Sequence, residues 1–77
     1  MDYIELIGWR VKKQRFLRGW SQQELARMAG LSPGHISEIE NGQRKNLQAR
    51  TLKKLARGLG IDVARLLDDV QENEKVG

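Results

Sequence analysis

No cysteine occurs in the 77 residues, so neither disulfides nor thiolate metal sites can make up for a small core. Stability must come from packed aliphatic side chains, and a reducing compartment suits such a chain. Histidine occurs once, which removes the usual metal-ligand sets, and the acids are scattered or clustered on a polar tail, which does not suggest the pocket of paired titratable groups that catalysis needs. No enzyme, no cofactor and no metal are therefore expected. Long apolar runs are missing too: none approaches the roughly 18 residues that span a bilayer, and the opening Met-Asp-Tyr-Ile-Glu lacks the basic-then-apolar layout of a secretion signal. A cytoplasmic protein without membrane contact is the expectation. A chain this short buries only about 60 to 65% of its unfolded surface, too little for two cores, so one domain is expected.

Charge is present, and its distribution matters more than its sum. Fourteen Lys and Arg oppose ten Asp and Glu, for a net charge of +4. Arg10, Lys12, Lys13, Arg15 and Arg18 follow one another without an acid between them, as do Arg44, Lys45, Arg50, Lys53, Lys54 and Arg57. The acids collect at the end, in Asp68, Asp69, Glu72 and Glu74. Clustered bases with segregated acids suit a polyanion, although solvated helix faces give the same pattern.

Apolar residues recur at helical spacing, and no stretch alternates as a half-buried strand does; the chain reads as all-α with five helices. A first helix from about Tyr3 to Leu17 aligns Ile4, Ile7 and Val11, and Gly19 ends it. Ser21 and Glu24 form a capping box that opens a second helix, with Leu25, Met28 and Ala29 inward and Gly30 as its stop. Ser32 caps a third, from about Pro33 to Glu40. Pro33 at its first position gives up only an amide that has no intrahelical partner. Ile36 and Ile39 face inward, and Asn41-Gly42 ends this helix. Leu52, Leu55, Ala56 and Leu59 mark a fourth helix that stops at Gly60, with Asn46 a better cap than Gln48. Asp62 caps a fifth, with Leu66 and Leu67 inward. From Val70 onward the residues are polar and unpatterned, which predicts a domain over residues 1–69 and a frayed tail over 70–77.

The second and third helices, joined by a short turn containing Gly30, have the spacing of a helix-turn-helix, whose second helix can enter a major groove about 12 Å wide. Ala26 is small where the two helices cross. The stretch resembles the lambda-repressor/Cro-like, or Xre-type, helix-turn-helix family. Further fragments agree in order: "IGWRVKKQR" is similar to the family's first helix, "GWSQQELA" to the start of its second, "ISEIENG" to the end of its recognition helix and "TLKKLARGLGIDVARLL" to its last two. The resemblance covers residues 7 to about 67. It departs from the family pattern at Gln14, at Ala49 and in the link "QRKNLQAR".

With Ile36 taken as inward, about 100° per residue turns Gly34, Ser37, Glu38 and Asn41 outward and leaves His35 on a flank. Gly34, His35, Ser37 and Glu38 are the candidate base readers: Ser37 can donate or accept, Glu38 can accept from a cytosine amino group, and Gly34 permits close backbone approach. A carboxylate beside phosphates is repelled unless a cytosine donor or an Arg offsets it. Gln22, Ser32, Asn41, Gln43, Arg44 and Lys45 are the candidate contacts to the sugar-phosphate backbone. Arg10, Lys13 and Arg18 are weaker ones. Arg15 and Glu40 stand where the family commonly places an ion pair between its first and third helices, which sets the angle of the reading helix without itself reading sequence. Trp9 and Phe16 lie off the Ile7–Val11 stripe; core-edge packing is expected of them, with a dimer or partner surface as the other reading.

The resemblance implies a sequence-specific double-stranded DNA-binding domain of a transcriptional regulator that represses by occupying a palindromic operator as a homodimer. Such a protein works in the cytoplasm, on the nucleoid. The alternative is a protein–protein interaction module, an antitoxin or coactivator-like bridge, that reuses the helix-turn-helix shape.

Overall fold

The computed structural model describes residues 2–44 and 46–67. Lys45 and the predicted tail over 70–77 lie outside them. Among the described residues five helices follow one another: α1 (Tyr3–Leu17), α2 (Gln22–Ala29), α3 (Pro33–Glu40), α4 (Ala49–Leu59) and α5 (Ala64–Leu67). The first three coincide with the sequence expectation. Among the described residues no helix is long and apolar enough to cross a membrane.

Local chemistry explains the helix limits. Asp2 and Glu5 close a capping box at the start of α1, a signal that the periodicity alone did not reveal. The Ser21–Glu24 box forms as expected at α2, with the Glu24 amide donating to Ser21 Oγ at 3.1 Å and the Ser21 amide donating to Glu24 Oε1 at 2.7 Å. Gly30 ends α2 in the left-handed region at φ 73°, a backbone state that costs a β-carbon but not glycine. Leu31 then donates its amide to the Ala26 carbonyl at 2.9 Å and turns the chain into α3. The start of α4 is settled at Gln48 and not at Asn46, without a side-chain cap. Asp62 opens the last turn, accepting from the Ala64 amide at 2.9 Å.

Among the described residues twelve apolar ones form one core: Ile7 and Val11 of α1, Leu25, Ala26 and Ala29 of α2, Ile36 and Ile39 of α3, Leu52, Leu55, Ala56 and Leu59 of α4, and Leu66 of α5. α1 lies on α3, α2 lies on both α3 and α4, and α5 closes the end against α1 and α4. Met28 is a correction: expected inside, it is 52% exposed. The buried arc of α2 is centred between Leu25, Ala29 and Ala26, and Met28 falls about 100° away from that centre.

Two glycines inside helices make the packing this close. A β-carbon on Gly8 would collide with the backbone carbonyl oxygen of Ile39, so α1 rests directly on the last turn of α3. Likewise a β-carbon on Gly58 would lie 2.9 Å from the Cα and N of Ala29, where α4 crosses α2. Neither contact follows from periodicity. The sign in the sequence is the glycine itself, which costs a helix interior about 1 kcal/mol relative to alanine and so needs a reason to be there.

Arginines tie the helix ends together. Arg18 donates to the Leu59 carbonyl at 2.6 Å and to the Gln14 side chain at 2.8 Å, and Arg10 reaches the Leu66 carbonyl at 3.3 Å. These contacts give structural work to two of the weaker backbone candidates. They also explain the polar Gln14, whose carboxamide oxygen holds Arg18.

Candidate nucleic-acid interface

The outer edge of α3 carries the expected readers. Gly34, Glu38 and Asn41 are exposed, Ser37 is half-buried, and Ile36 and Ile39 opposite them are fully buried. Asn41 Nδ2 donates to Ser37 Oγ at 3.4 Å, so these two polar groups lie along one ridge. His35 sits on the flank as expected, half-buried, and its Nε2 is buried with no hydrogen-bond partner among the described residues.

The start of α3 is arranged to offer a backbone donor. Ser32 Oγ accepts from the His35 amide at 3.1 Å, and the Ser32 carbonyl accepts from the Ile36 amide at 3.1 Å. Pro33 has no amide to give. That leaves the Gly34 N–H as the first-turn donor facing outward, where the positive end of the helix favours an anion. Ser32→Ala is expected to lower stability by about 1 kcal/mol through loss of this cap, read as a fall in the urea midpoint. An unchanged midpoint would mean that the cap contributes nothing.

The end of α3 is shaped by Gly42, which takes φ 69°. The Gly42 amide donates to the Ile39 carbonyl at 3.2 Å and the Gln43 amide to the Glu38 carbonyl at 2.9 Å, the paired bonds of a Schellman turn. This turn swings the following loop back beside α3. Arg44 consequently reaches Glu38, Nη1 to Oε1 at 3.1 Å, with side chains 40% and 51% exposed. Gln43 is exposed and Arg44 half-buried; Lys45, the remaining loop candidate, lies outside the described residues.

Beneath the edge lies a buried charge network. Arg15 Nε and Nη2 grip the two Glu40 carboxylate oxygens at 2.6 and 2.8 Å, and Nη1 donates to the Trp20 carbonyl at 2.8 Å. The pair is bidentate, as expected, and almost fully enclosed, with side chains 9% and 1% exposed. The Arg15 pKa is raised, first by the hydrogen bond to Glu40 and then by its charge, against the opposing effect of burial. Gln22 joins the network, a link not foreseen from the sequence: its Nε2 donates to Glu40 Oε1 at 3.0 Å. One carboxylate thus fixes both the angle of α3 and the side chain at the start of α2. The second Nε2 hydrogen of Gln22 is left for an outside acceptor.

Trp9 and Phe16 are not packed at the core edge, as expected of them, but are 49% and 61% exposed. They sit on the face of α1 turned away from Ile7 and Val11. With Leu17, Lys12 and Lys13 they line a groove of about 650 Å³ that ends at Asn41 and Gly42. Lys13 Nζ lies 5.3 Å from the Trp9 ring centre and the Arg15 guanidinium 4.8 Å from that of Phe16, so cations partly cover both rings.

Comparison with known proteins agrees with this geometry. A helix-turn-helix family model matches residues 11–66. The HTH-type transcriptional regulator SinR of Bacillus subtilis is 36% identical over 72 residues; the match takes in 94% of this chain but only 65% of the length of SinR. The solved structure of the hypothetical transcription factor NHTF from Neisseria superposes with a TM-score of 0.85 at 32% identity, covering 99% of this chain and 86% of its own. SinR solved in complex with DNA superposes with a TM-score of 0.75 at 37% identity, over 80% of this chain and 98% of that one. Five helices in this order, a glycine turn between α2 and α3, and matches that span the core place the chain in the helix-turn-helix family of the lambda-repressor/Cro-like (Xre) type.

Proposed function

We propose that the chain is the sequence-specific double-stranded DNA-binding domain of a transcriptional regulator that represses by occupying an operator. The observation that carries this reading is the ridge of Gly34, Ser37, Glu38 and Asn41, which stands free of the core on a helix locked from behind by Arg15 and Glu40. The likeness to SinR, solved with DNA, supports it.

In this mechanism α3 lies in the major groove. Gln22, the Gly34 amide with Ser32, and the loop from Asn41 through Gln43 and Arg44 to Lys45 hold phosphates and fix register, and Ser37 and Glu38 then meet base edges. Two copies on a palindrome place their reading helices roughly 34 Å apart. Such a protein works in the cytoplasm, on the nucleoid.

Selection of sites from random duplexes, followed by affinity measurements over a series of salt concentrations, tests the reading. With about five to seven phosphates neutralised per bound unit, log affinity falls against log salt with a slope of roughly −4 to −6. Failure to enrich any sequence, or a slope near zero, overturns it.

The groove of Trp9, Phe16 and Leu17 favours a second reading, a protein-interaction module such as an antitoxin or a coactivator-like bridge. Exposed aromatics beside cations suit a protein partner. Substitution of Ser37 and Glu38 separates the two: under the DNA reading the selected sequence changes, and under the other it does not.

A further inference from the structure

We infer that Glu38 and Arg44 act as one specificity element that selects a C·G base pair, the carboxylate accepting from the cytosine amino group and the guanidinium, which keeps further N–H groups for a phosphate, donating to the paired guanine. This rests on the DNA-binding reading above and specifies what its central reader recognises.

An ionised carboxylate on the ridge of a major-groove helix faces a wall of phosphates, and an isolated one would weaken binding to every sequence. In this structure it is not isolated. The Schellman turn at Gly42 folds the loop back so that the Gln43 amide holds the Glu38 carbonyl while Arg44 holds its carboxylate. The side chains are 40% and 51% exposed at the ridge, so the pair is available to a ligand and costs little to rearrange.

Donor and acceptor chemistry then chooses the base pair. A carboxylate only accepts, so it can meet only the donors of the major groove, cytosine N4 and adenine N6. Adenine N6 is flanked on both sides by acceptors, N7 of its own ring and O4 of thymine, which face the second carboxylate oxygen with like charge. Cytosine N4 instead adjoins guanine O6 and N7, two consecutive acceptors. Arg44 gives one N–H to Glu38 and retains others of its five. An acceptor beside a forked donor therefore matches the C·G edge and mismatches the other three.

The test uses the full chain with Glu38→Gln, Arg44→Met and the double variant, each shown to fold by an unchanged urea midpoint. Duplexes selected from a random pool are followed by competition among the four base pairs at the Glu38-dependent position. The wild type is expected to select C·G there by roughly 5- to 150-fold over the alternatives. Glu38→Gln, whose amide matches adenine N6 and N7, moves the preference at that one position to A·T and leaves the rest of the site intact. Arg44→Met weakens binding more when Glu38 is present than in the Glu38→Gln background, because the carboxylate is then uncovered. Identical preferences for the wild type and Glu38→Gln at every position overturn the inference while leaving DNA binding itself intact, as do equal losses from Arg44→Met in both backgrounds. A wild type that enriches no sequence overturns both.

Discussion

Glu40→Ala is expected to cost about 3 to 5 kcal/mol of folding stability, the largest effect of any single substitution considered. The reason lies in what it leaves behind. Arg15 remains charged in the interior, with one hydrogen bond to the Trp20 carbonyl where it had three. Its pKa is raised in the folded state by the Glu40 hydrogen bond, so the stability it brings is present at all pH values below its ordinary one and is lost only in strong alkali. It therefore adds no pH dependence near neutrality, and lowering the pH cannot relieve the variant. For a domain whose total stability is in the range of about 5 to 15 kcal/mol, most of the margin is removed. Replacing both partners, Arg15→Met with Glu40→Leu, is expected to restore much of it, because no charge is then stranded. Urea titration of the wild type, both single variants and the double measures the coupling. A loss below about 1 kcal/mol for Glu40→Ala would show that water reaches the pair and that burial does not govern it.

Gly8→Ala is the second large effect, and its sign is the informative part. Helix propensity alone makes this substitution stabilising by about 1 kcal/mol, since Gly8 lies inside α1. The new methyl group, however, meets the Ile39 carbonyl oxygen, which is backbone and cannot rotate aside. α1 and α3 must separate, and overpacking of this kind costs typically 1 to 3 kcal/mol and sometimes more. Because the collision involves two main chains, the upper end applies and the clash outweighs the propensity gain, leaving a net loss of about 2 kcal/mol. At about 4 to 8 °C per kcal/mol for a domain of this size, Tm falls by roughly 10 °C. Calorimetry decides it: a Tm equal to or above the wild type would mean that the helices do not touch at Gly8.

These two residues also mark what could be read from the sequence. Glu40 and Arg15 were legible as a pair through the family resemblance, the end of α1 through Gly19, and the limits of α2 and α3 through Ser21, Glu24, Gly30, Ser32 and Pro33, because caps and turns are short-range chemistry. The ridge of Gly34, Ser37, Glu38 and Asn41 followed from Ile36 and helical geometry. Gly8 and Gly58 were not legible as contact points, since which helix comes close to a glycine is decided by packing far along the chain. The same holds for Gln22 on Glu40 and Arg18 on Leu59, which join residues 18 and 41 positions apart. Met28 was misplaced because apolar character counts toward a stripe wherever it stands, whereas the buried arc of α2 is set by two neighbours, α3 and α4. The start of α4 is not legible either, since Gln48 caps without a side-chain bond although Asn46 is locally the better cap.

On the proposed reading the protein meets DNA with the outer edge of α3, supported by the start of α2 and the loop after Glu40. Amide chemical-shift mapping by NMR during titration with a selected duplex tests this most directly. Shifts are expected to concentrate at Gln22 and from Ser32 to Arg44, strongest at Gly34, Ser37 and Glu38, with Trp9 and the rest of the outer face of α1 unmoved. Shifts centred on Trp9, Phe16 and Leu17, with Gly34, Ser37 and Glu38 unchanged, would contradict it.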